Sequence, residues 1–318
     1  MSFPEFLRSD LTTIRRAVSL GIGLALISVL VVVADTGAIL NTLESVELGW
    51  YGVAFVIFTL GYFPATYRWL QLQRSIGYNP DVGATFEIVA ISLGLNKVLP
   101  ANLGDFSRSK VTERYFDVRN HAELLSLVAV ERAADFFIAL LLFTTSFALI
   151  TSGAFLQTRS FIVAIGTFVA IVTVIVVFWL VRQRVAEWIP GPLSNQLEAA
   201  FSVADALSTT TLAVLFITTV SRWLLTGVVF VAVGRSIGVS PGFLVALALI
   251  SGMSLVSVLP ITPAGIGPSE TVGVGILVAS GVAYPTAISL SLLQRTFGVF
   301  WMGLIGLLIF LARWALFR

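Results

Sequence analysis

The sequence predicts an all-α polytopic membrane protein with six full transmembrane helices and two re-entrant half-helix hairpins, arranged as an inverted repeat. Three observations predict it. Of 318 residues, 57% are hydrophobic and 11% charged, with a mean hydropathy of +0.98; a soluble domain carries about a quarter charged residues. Apolar stretches of about 20 residues, enough to cross about 30 Å of hydrocarbon, recur along the whole length. Two further apolar stretches each break at a Leu-Pro pair followed by glycine.

Full crossings are expected at 17–38, 50–70, 122–150, 160–181, 210–233 and 285–312. The first is not expected to be a cleaved signal, because no small-residue cleavage site follows and membrane-type sequence continues to Arg318. The stretches 82–99 and 242–259 end in Leu99-Pro100 and Leu259-Pro260. Proline removes a backbone donor and clashes with the preceding turn, so each helix stops partway through the bilayer. New segments start near 105–116 and 268–281, after turns carrying Gly104 in the first case and Pro263, Gly265 and Gly267 in the second. Non-helical backbone at membrane depth is tolerated only where protein or water surrounds it.

Basic residues set the orientation. With the N-terminus in the cytoplasm, thirteen of the nineteen fall on or near the inner face, among them Arg15, Arg16, Arg68, Arg74, Arg108 and Arg114. Arg159 and Arg235 fall outside, and Lys97, Arg132, Arg222 and Arg295 fall within the membrane. The first outer loop holds Asp35, Glu44 and Glu47. If both hairpins crossed completely, the loop from Arg108 to Arg119 would move outside, so the bias favours hairpins that enter from opposite sides. The expected location is the cytoplasmic (plasma) membrane, with both termini cytoplasmic.

Residues 1–318 form one membrane domain, with units at 50–150 and 210–313. Each unit has an apolar helix, a Leu-Pro break, a glycine turn, a short helix with an acidic residue and a spanning helix containing arginine. Pro100 precedes Arg132 by 32 residues and Pro260 precedes Arg295 by 35. The extra crossing at 160–181 inverts the second unit. Chance likeness between apolar stretches is the alternative. Inverted repeats with broken helices characterise transporters. Between crossings four and five, the polar segment 183–208 places Leu193, Leu197, Phe201, Ala204 and Leu207 on one face, as in a helix lying on the inner interface.

Lys97, Glu131, Arg132, Asp135, Arg222, Glu270 and Arg295 are the ionisable groups placed in the membrane. Each would cost about 2.5–3.5 kcal/mol on a lipid-facing helix. Together they would exceed a domain's whole stability of about 5–15 kcal/mol. They must pair, face the bundle interior or line water. Glu131 and Asp135 share a helix face, and Arg132 reaches Asp135; this is either an ion pair locking helices or the polar wall of a cavity. Gly104 with Asp105, and Gly267 with Pro268 and Glu270, have the form of helix starts. They serve as caps, or they aim two helix N-termini at a mid-depth anion, with Lys97, Arg108 and Arg295 nearby. The lone His121 belongs to the solvated surface. No metal-ligand spacing, cysteine or phosphate-loop pattern is present, so no metal, cofactor, thiol chemistry or direct ATP use is expected.

Four motifs in order, covering nearly the whole chain, resemble the flippase-like family that includes the transmembrane region of lysylphosphatidylglycerol synthases and its stand-alone relatives. They are Leu99-Pro-Ala-Asn-Leu-Gly104-Asp105-x-x-Arg108, Glu131-Arg132-x-x-Asp135, Pro260-x-x-Pro263-Ala-Gly265-x-Gly267-x-x-Glu270, and Arg295. The resemblance implies head-group translocation through cavities bounded by re-entrant helices. It marks Asp105, Arg108, Glu131, Arg132, Asp135, Glu270 and Arg295. Ala264 stands where the family usually has glycine, and Gln294 where an aromatic often precedes the late arginine; both leave the substrate open. With Arg318 as its last residue, the chain is expected to lack the soluble aminoacyl-transfer domain of the synthases.

The expected function is a lipid flippase, not an enzyme. It would move an anionic phospholipid or a polyprenyl-phosphate-linked sugar, with Lys97 joining the marked residues along the path. The alternatives are a membrane-embedded lipid-modifying enzyme, a small-anion or ion-coupled permease, and a structural subunit. Compatible partners are the lipid itself, a second copy in a homodimer, and a separate lipid-modifying synthase or glycosyltransferase; nucleic acid is not among them.

Overall fold

The computed structural model describes residues 36–98, 103–116, 121–151, 201–258 and 265–313, with isolated positions 166, 173 and 262. Ten helices are defined there: α1 Thr36–Glu44, α2 Leu48–Leu60, α3 Tyr62–Ser75, α4 Val82–Val98, α5 Leu103–Phe116, α6 His121–Thr151, α7 Thr209–Ser236, α8 Phe243–Ser257, α9 Pro268–Ala279 and α10 Tyr284–Ala312. Gly61 joins α2 to α3 with helical dihedrals, φ −62° and ψ −17°, so the two act as one rod. That rod, α6, α7 and α10 are each long and apolar enough to cross a membrane. They match four of the six expected crossings. Nearly all of the crossings at 160–181 and 17–38 lie outside the described residues. The chain is an all-α, multi-pass membrane protein.

Its surface is inverted relative to a soluble protein. Phe63, Phe136, Phe147, Phe216, Ile217, Phe300 and Leu308 are exposed, whereas Arg68, Asp105, Arg108, Glu131, Asp135 and Glu270 are buried. Oil outside and charge inside is the arrangement that the cost of unpaired charge in hydrocarbon demands.

Four of the shorter helices pack as two pairs, α4 with α5 and α8 with α9. The longest, α4, has 17 residues, about 25 Å at about 1.5 Å per residue, and falls short of a hydrocarbon core about 30 Å thick. Pro100, Pro260 and Pro263 lie outside the described residues, but the glycines of the turns are described. Gly265 (φ +69°) and Gly267 (φ +92°) adopt left-handed backbone that side chains resist. A Cβ on Gly104 would collide with the Asn96 amide nitrogen and the Ser92 carbonyl oxygen. Asp105 is not an N-cap as expected: α5 already begins at Leu103, which puts Asp105 inside the first turn. Pro268 opens α9 with Glu270 in its first turn, as read from the sequence.

One repeat signal was missed in the sequence reading. Arg74-Ser75-Ile76-Gly77-x-x-Pro80 follows the first rod, and Arg235-Ser236-Ile237-Gly238-x-x-Pro241 closes α7. Both form the same turn. Gly77 (φ +87°) and Gly238 (φ +73°) allow Tyr78 to donate to the Gln73 carbonyl (3.1 Å) and Val239 to the Gly234 carbonyl (3.0 Å). The two turns sit at opposite ends of antiparallel rods, because the Glu47 amide at the start of α2 donates to the Ser236 carbonyl at the end of α7 (2.6 Å). Short helices are also traded between the two halves of the chain: α4 packs on α10, and α8 packs on α6.

Two apolar clusters hold the bundle. One joins α2, α6, α7, α8, α9 and α10 through Trp223, Phe230, Leu249, Leu277 and Phe297. The other joins α3, α4, α5 and α6 through Tyr62, Trp69, Ile88, Val111 and Leu127, and takes in Val203 and Leu207. In the described part of the interfacial segment the buried residues are therefore Val203 and Leu207, with Phe201 and Ala204 half-buried; Leu193 and Leu197 lie outside the described residues.

Where α4 meets α10, a Cβ on Gly94 would stand 2.9 Å from the Gly306 Cα, and one on Gly306 would stand 2.8 Å from the Ala90 carbonyl oxygen. Backbone cannot swing aside as a side chain can. Gly94→Ala should therefore destabilise the protein by about 1–3 kcal/mol, lowering its melting temperature in detergent. Gly52→Ala meets nothing within 4 Å and should be neutral, or stabilising by about 0.5–1 kcal/mol.

Candidate functional site

Arg68 on α3, though expected at the inner face, is 1% exposed. It donates to Asp135 Oδ1 (2.8 Å), to Thr219 Oγ1 (2.9 Å) and to Glu131. The rod continues past the predicted end of the span at residue 70, so Arg68 lies on the buried stripe of Tyr62, Ala65, Trp69 and Leu72. Arg108 on α5, expected near the inner face and as a charge beside the anion site, is equally buried. It donates to Glu131 Oε2 (2.7 Å), Asp105 Oδ1 (2.9 Å) and Ser92 Oγ (2.9 Å). Its guanidinium lies 5.2 Å from the Trp69 ring centroid, a cation–π distance.

Arg132 closes the network. Its nitrogens lie 3.2 Å from Asp105 Oδ2, 3.0 Å from Glu131 Oε1 and 2.6 Å from Asp135 Oδ2. Arg222 on α7 approaches Asp135 Oδ2 at 3.5 Å. Four guanidiniums thus surround three carboxylates supplied by α5 and α6. A smaller cluster sits on α9 and α10. Arg295 pairs with Glu270 and donates to Ser269 Oγ (3.0 Å).

The hairpin ends supply their own acceptors. The Asp105 amide donates to Asn96 Oδ1 (2.9 Å), and the Gly267 amide donates to Glu270 Oε2 (2.7 Å). At these two positions the chain caps itself, so the charges facing the interior come from side chains.

Between the two clusters lies a cavity of about 300 Å³. It is bounded by the ends of α4 and α8, the starts of α5 and α9, and the middles of the four long rods. Arg132, Arg222 and Arg295 reach it, with side chains 28%, 24% and 18% exposed. Asp105, Asn96, Ser254, Ser269 and Gln294 also line it, together with apolar residues that include Phe58, Leu93, Ile250 and Met302. Of the residues named from the sequence, Asp105, Arg132 and Arg295 reach the cavity. Arg108, Glu131, Asp135 and Glu270 stand behind them as partners, and the side chain of Lys97 lies outside the described residues. Sequence reasoning counted Arg222 as buried but gave it no role, because its contact is with a residue far along the chain.

Removing one partner from a buried ion network leaves its counter-charges stranded. Arg68→Ala should cost about 3–5 kcal/mol, read as a large fall in melting temperature in detergent. Lysine at position 68, lacking the forked geometry, should recover only part of it. Arg74→Ala, at an exposed position, should change little.

The family described as the lysylphosphatidylglycerol synthase TM region matches residues 18–306. The likeness drawn from the spaced motifs is thereby borne out. No match was found among curated proteins.

Proposed function

Since the chain belongs to the family of the lysylphosphatidylglycerol synthase TM region, we propose that it is a lipid translocase for anionic head groups. It moves a phospholipid, or a polyprenyl-phosphate-linked sugar, across the cytoplasmic membrane with both termini on the cytoplasmic side. The observation that carries this reading is the convergence of Arg132, Arg222 and Arg295 on one cavity inside a membrane bundle. Guanidinium groups match phosphate geometry through paired N–H donors. A volume of about 300 Å³ suits a head group and leaves acyl tails in the bilayer. The apolar lining gives the glycerol and upper tail region a surface to slide past.

The exchange of short helices between the two halves, with the same Arg-Ser-Ile-Gly turn at opposite ends of antiparallel rods, supports inverted units that rock about the cavity. Alternating access follows from such pairs. We read the protein as a transporter rather than an enzyme. Among the described residues the carboxylate lining the cavity, Asp105, is already engaged in ion pairs with Arg108 and Arg132. A separate synthase or glycosyltransferase would then produce the lipid that this chain moves.

With an impermeant quencher outside, vesicles containing the purified protein and a fluorescent phosphatidylglycerol should lose the protected inner-leaflet fluorescence faster than protein-free vesicles. Arg295→Ala should bring the rate back toward the lipid-only value. Equal rates with and without the wild-type protein would contradict the proposal.

A further inference from the structure

We propose that Arg222 is the residue that grips the head-group phosphate, and that the cavity takes one phosphodiester monoanion. This rests on the translocase reading and assigns the work within it. The three arginines that reach the cavity are not equivalent. Arg132 lies within 3.2 Å of all three carboxylates of the network. Arg295 is engaged by Glu270 and Ser269. Arg222 has a single ion-pair contact among the described residues, 3.5 Å from Asp135 Oδ2. That oxygen already receives Arg132 at 2.6 Å and Arg68 at 3.4 Å. A guanidinium carries five N–H donors, so most of those on Arg222 remain for a ligand.

Charge counting points the same way. Among the described side chains, Arg68, Arg108, Arg132 and Arg222 face Asp105, Glu131 and Asp135, while Arg295 and Glu270 balance each other. One positive charge is left over, and Arg222 holds it on the cavity wall. One negative charge on the ligand neutralises it. Among the described side chains a second would find no counter-charge, at the cost that excludes lone ions from membrane interiors.

The repeat sharpens the point. Arg222 stands thirteen residues before the Arg-Ser-Ile-Gly turn of α7, and the same count before the first turn reaches Gly61. Gly61 also lines the cavity. At this repeat position one unit carries the charge and the other no side chain, so Arg222, unlike Arg132 and Arg295, has no counterpart across the cavity.

A phosphodiester reaches the cavity either on a lipid or as a soluble ester, and binding measurements separate the two. The full chain in micelles of an uncharged maltoside detergent, which brings no phosphate, is titrated with fluorescent phosphatidylglycerol, neutral diacylglycerol and phosphatidic acid. The phosphatidic acid arm is run at about pH 9, well above the second ionisation of a phosphate monoester at about pH 6 in water, because a lipid surface shifts that ionisation upward. Soluble glycerophosphoglycerol serves as competitor. Phosphatidylglycerol should bind more tightly than either the neutral or the dianionic lipid. Arg222→Gln should weaken that binding about tenfold or more while the fold survives, because Asp135 keeps Arg68 and Arg132. Arg222→Lys should bind between the two.

Wild-type affinity in Arg222→Gln, or preference for the dianion, would overturn the assignment and leave translocation itself standing. If the glutamine variant does not fold, the lysine variant decides, and unchanged affinity there overturns the assignment. No discrimination between charged and neutral lipid by the wild type contradicts both readings. Displacement by glycerophosphoglycerol at concentrations similar to the lipid would support the phosphodiester site but contradict the lipid source.

Discussion

A guanidinium in oil must have a carboxylate beside it, and in this protein that rule organises the bundle. Glu131 and Asp135 lie one turn apart on α6 and gather Arg68 from α3, Arg108 from α5, Arg132 from their own helix and Arg222 from α7. Asp105 and Ser92 extend the same network to both members of the first hairpin. Hydrophobic burial orders helices weakly in a membrane, since lipid tails are as apolar as leucine. Directional charge pairs and close backbone contact do the ordering here. The glycine contact between α4 and α10 is the second of these devices, and it binds the first hairpin to the last rod.

The network and the cavity divide structure from function. Glu131, Asp135, Glu270, Arg68 and Arg108 are sealed behind, while Asp105 and three partly exposed arginines line the cavity. The inner layer holds the outer one at fixed angles, so the cavity presents cations that no collapse of the site can hide. Each hairpin also caps its own helix start, through Asn96 in one case and Glu270 in the other. Those helix ends have their caps without a ligand, which an empty half-cycle of the proposed transport requires.

Much of this was legible in the sequence. Length and polarity sufficed for the four rods, because a span of about 20 apolar residues has no other stable home. Prolines and glycines located the short pairs, and the run Glu131-Arg132-x-x-Asp135 announced its own pairing by helical spacing. Arg68 was hidden because the rod runs a further turn than the apolar window. Arg222 and Asp135 meet only through tertiary packing. The helix Thr36–Glu44 lay where acidic residues read as an outer loop. The duplicated Arg-Ser-Ile-Gly turn was in plain view and outweighs the hairpin likeness as evidence of a repeat, since its glycines serve one backbone geometry.

The central claim is that the cavity lies at mid-depth in the bilayer, where charge needs the shelter described. The chain has no cysteine, so single cysteines give unambiguous probes. Spin labels at Ser254→Cys on α8 and Leu93→Cys on α4, in reconstituted membranes, report depth through their relative collision rates with oxygen and a water-soluble relaxant. Both labels should report a depth near the bilayer centre, with more water access than a lipid-facing label at Phe216→Cys. Labels at head-group depth would contradict the account.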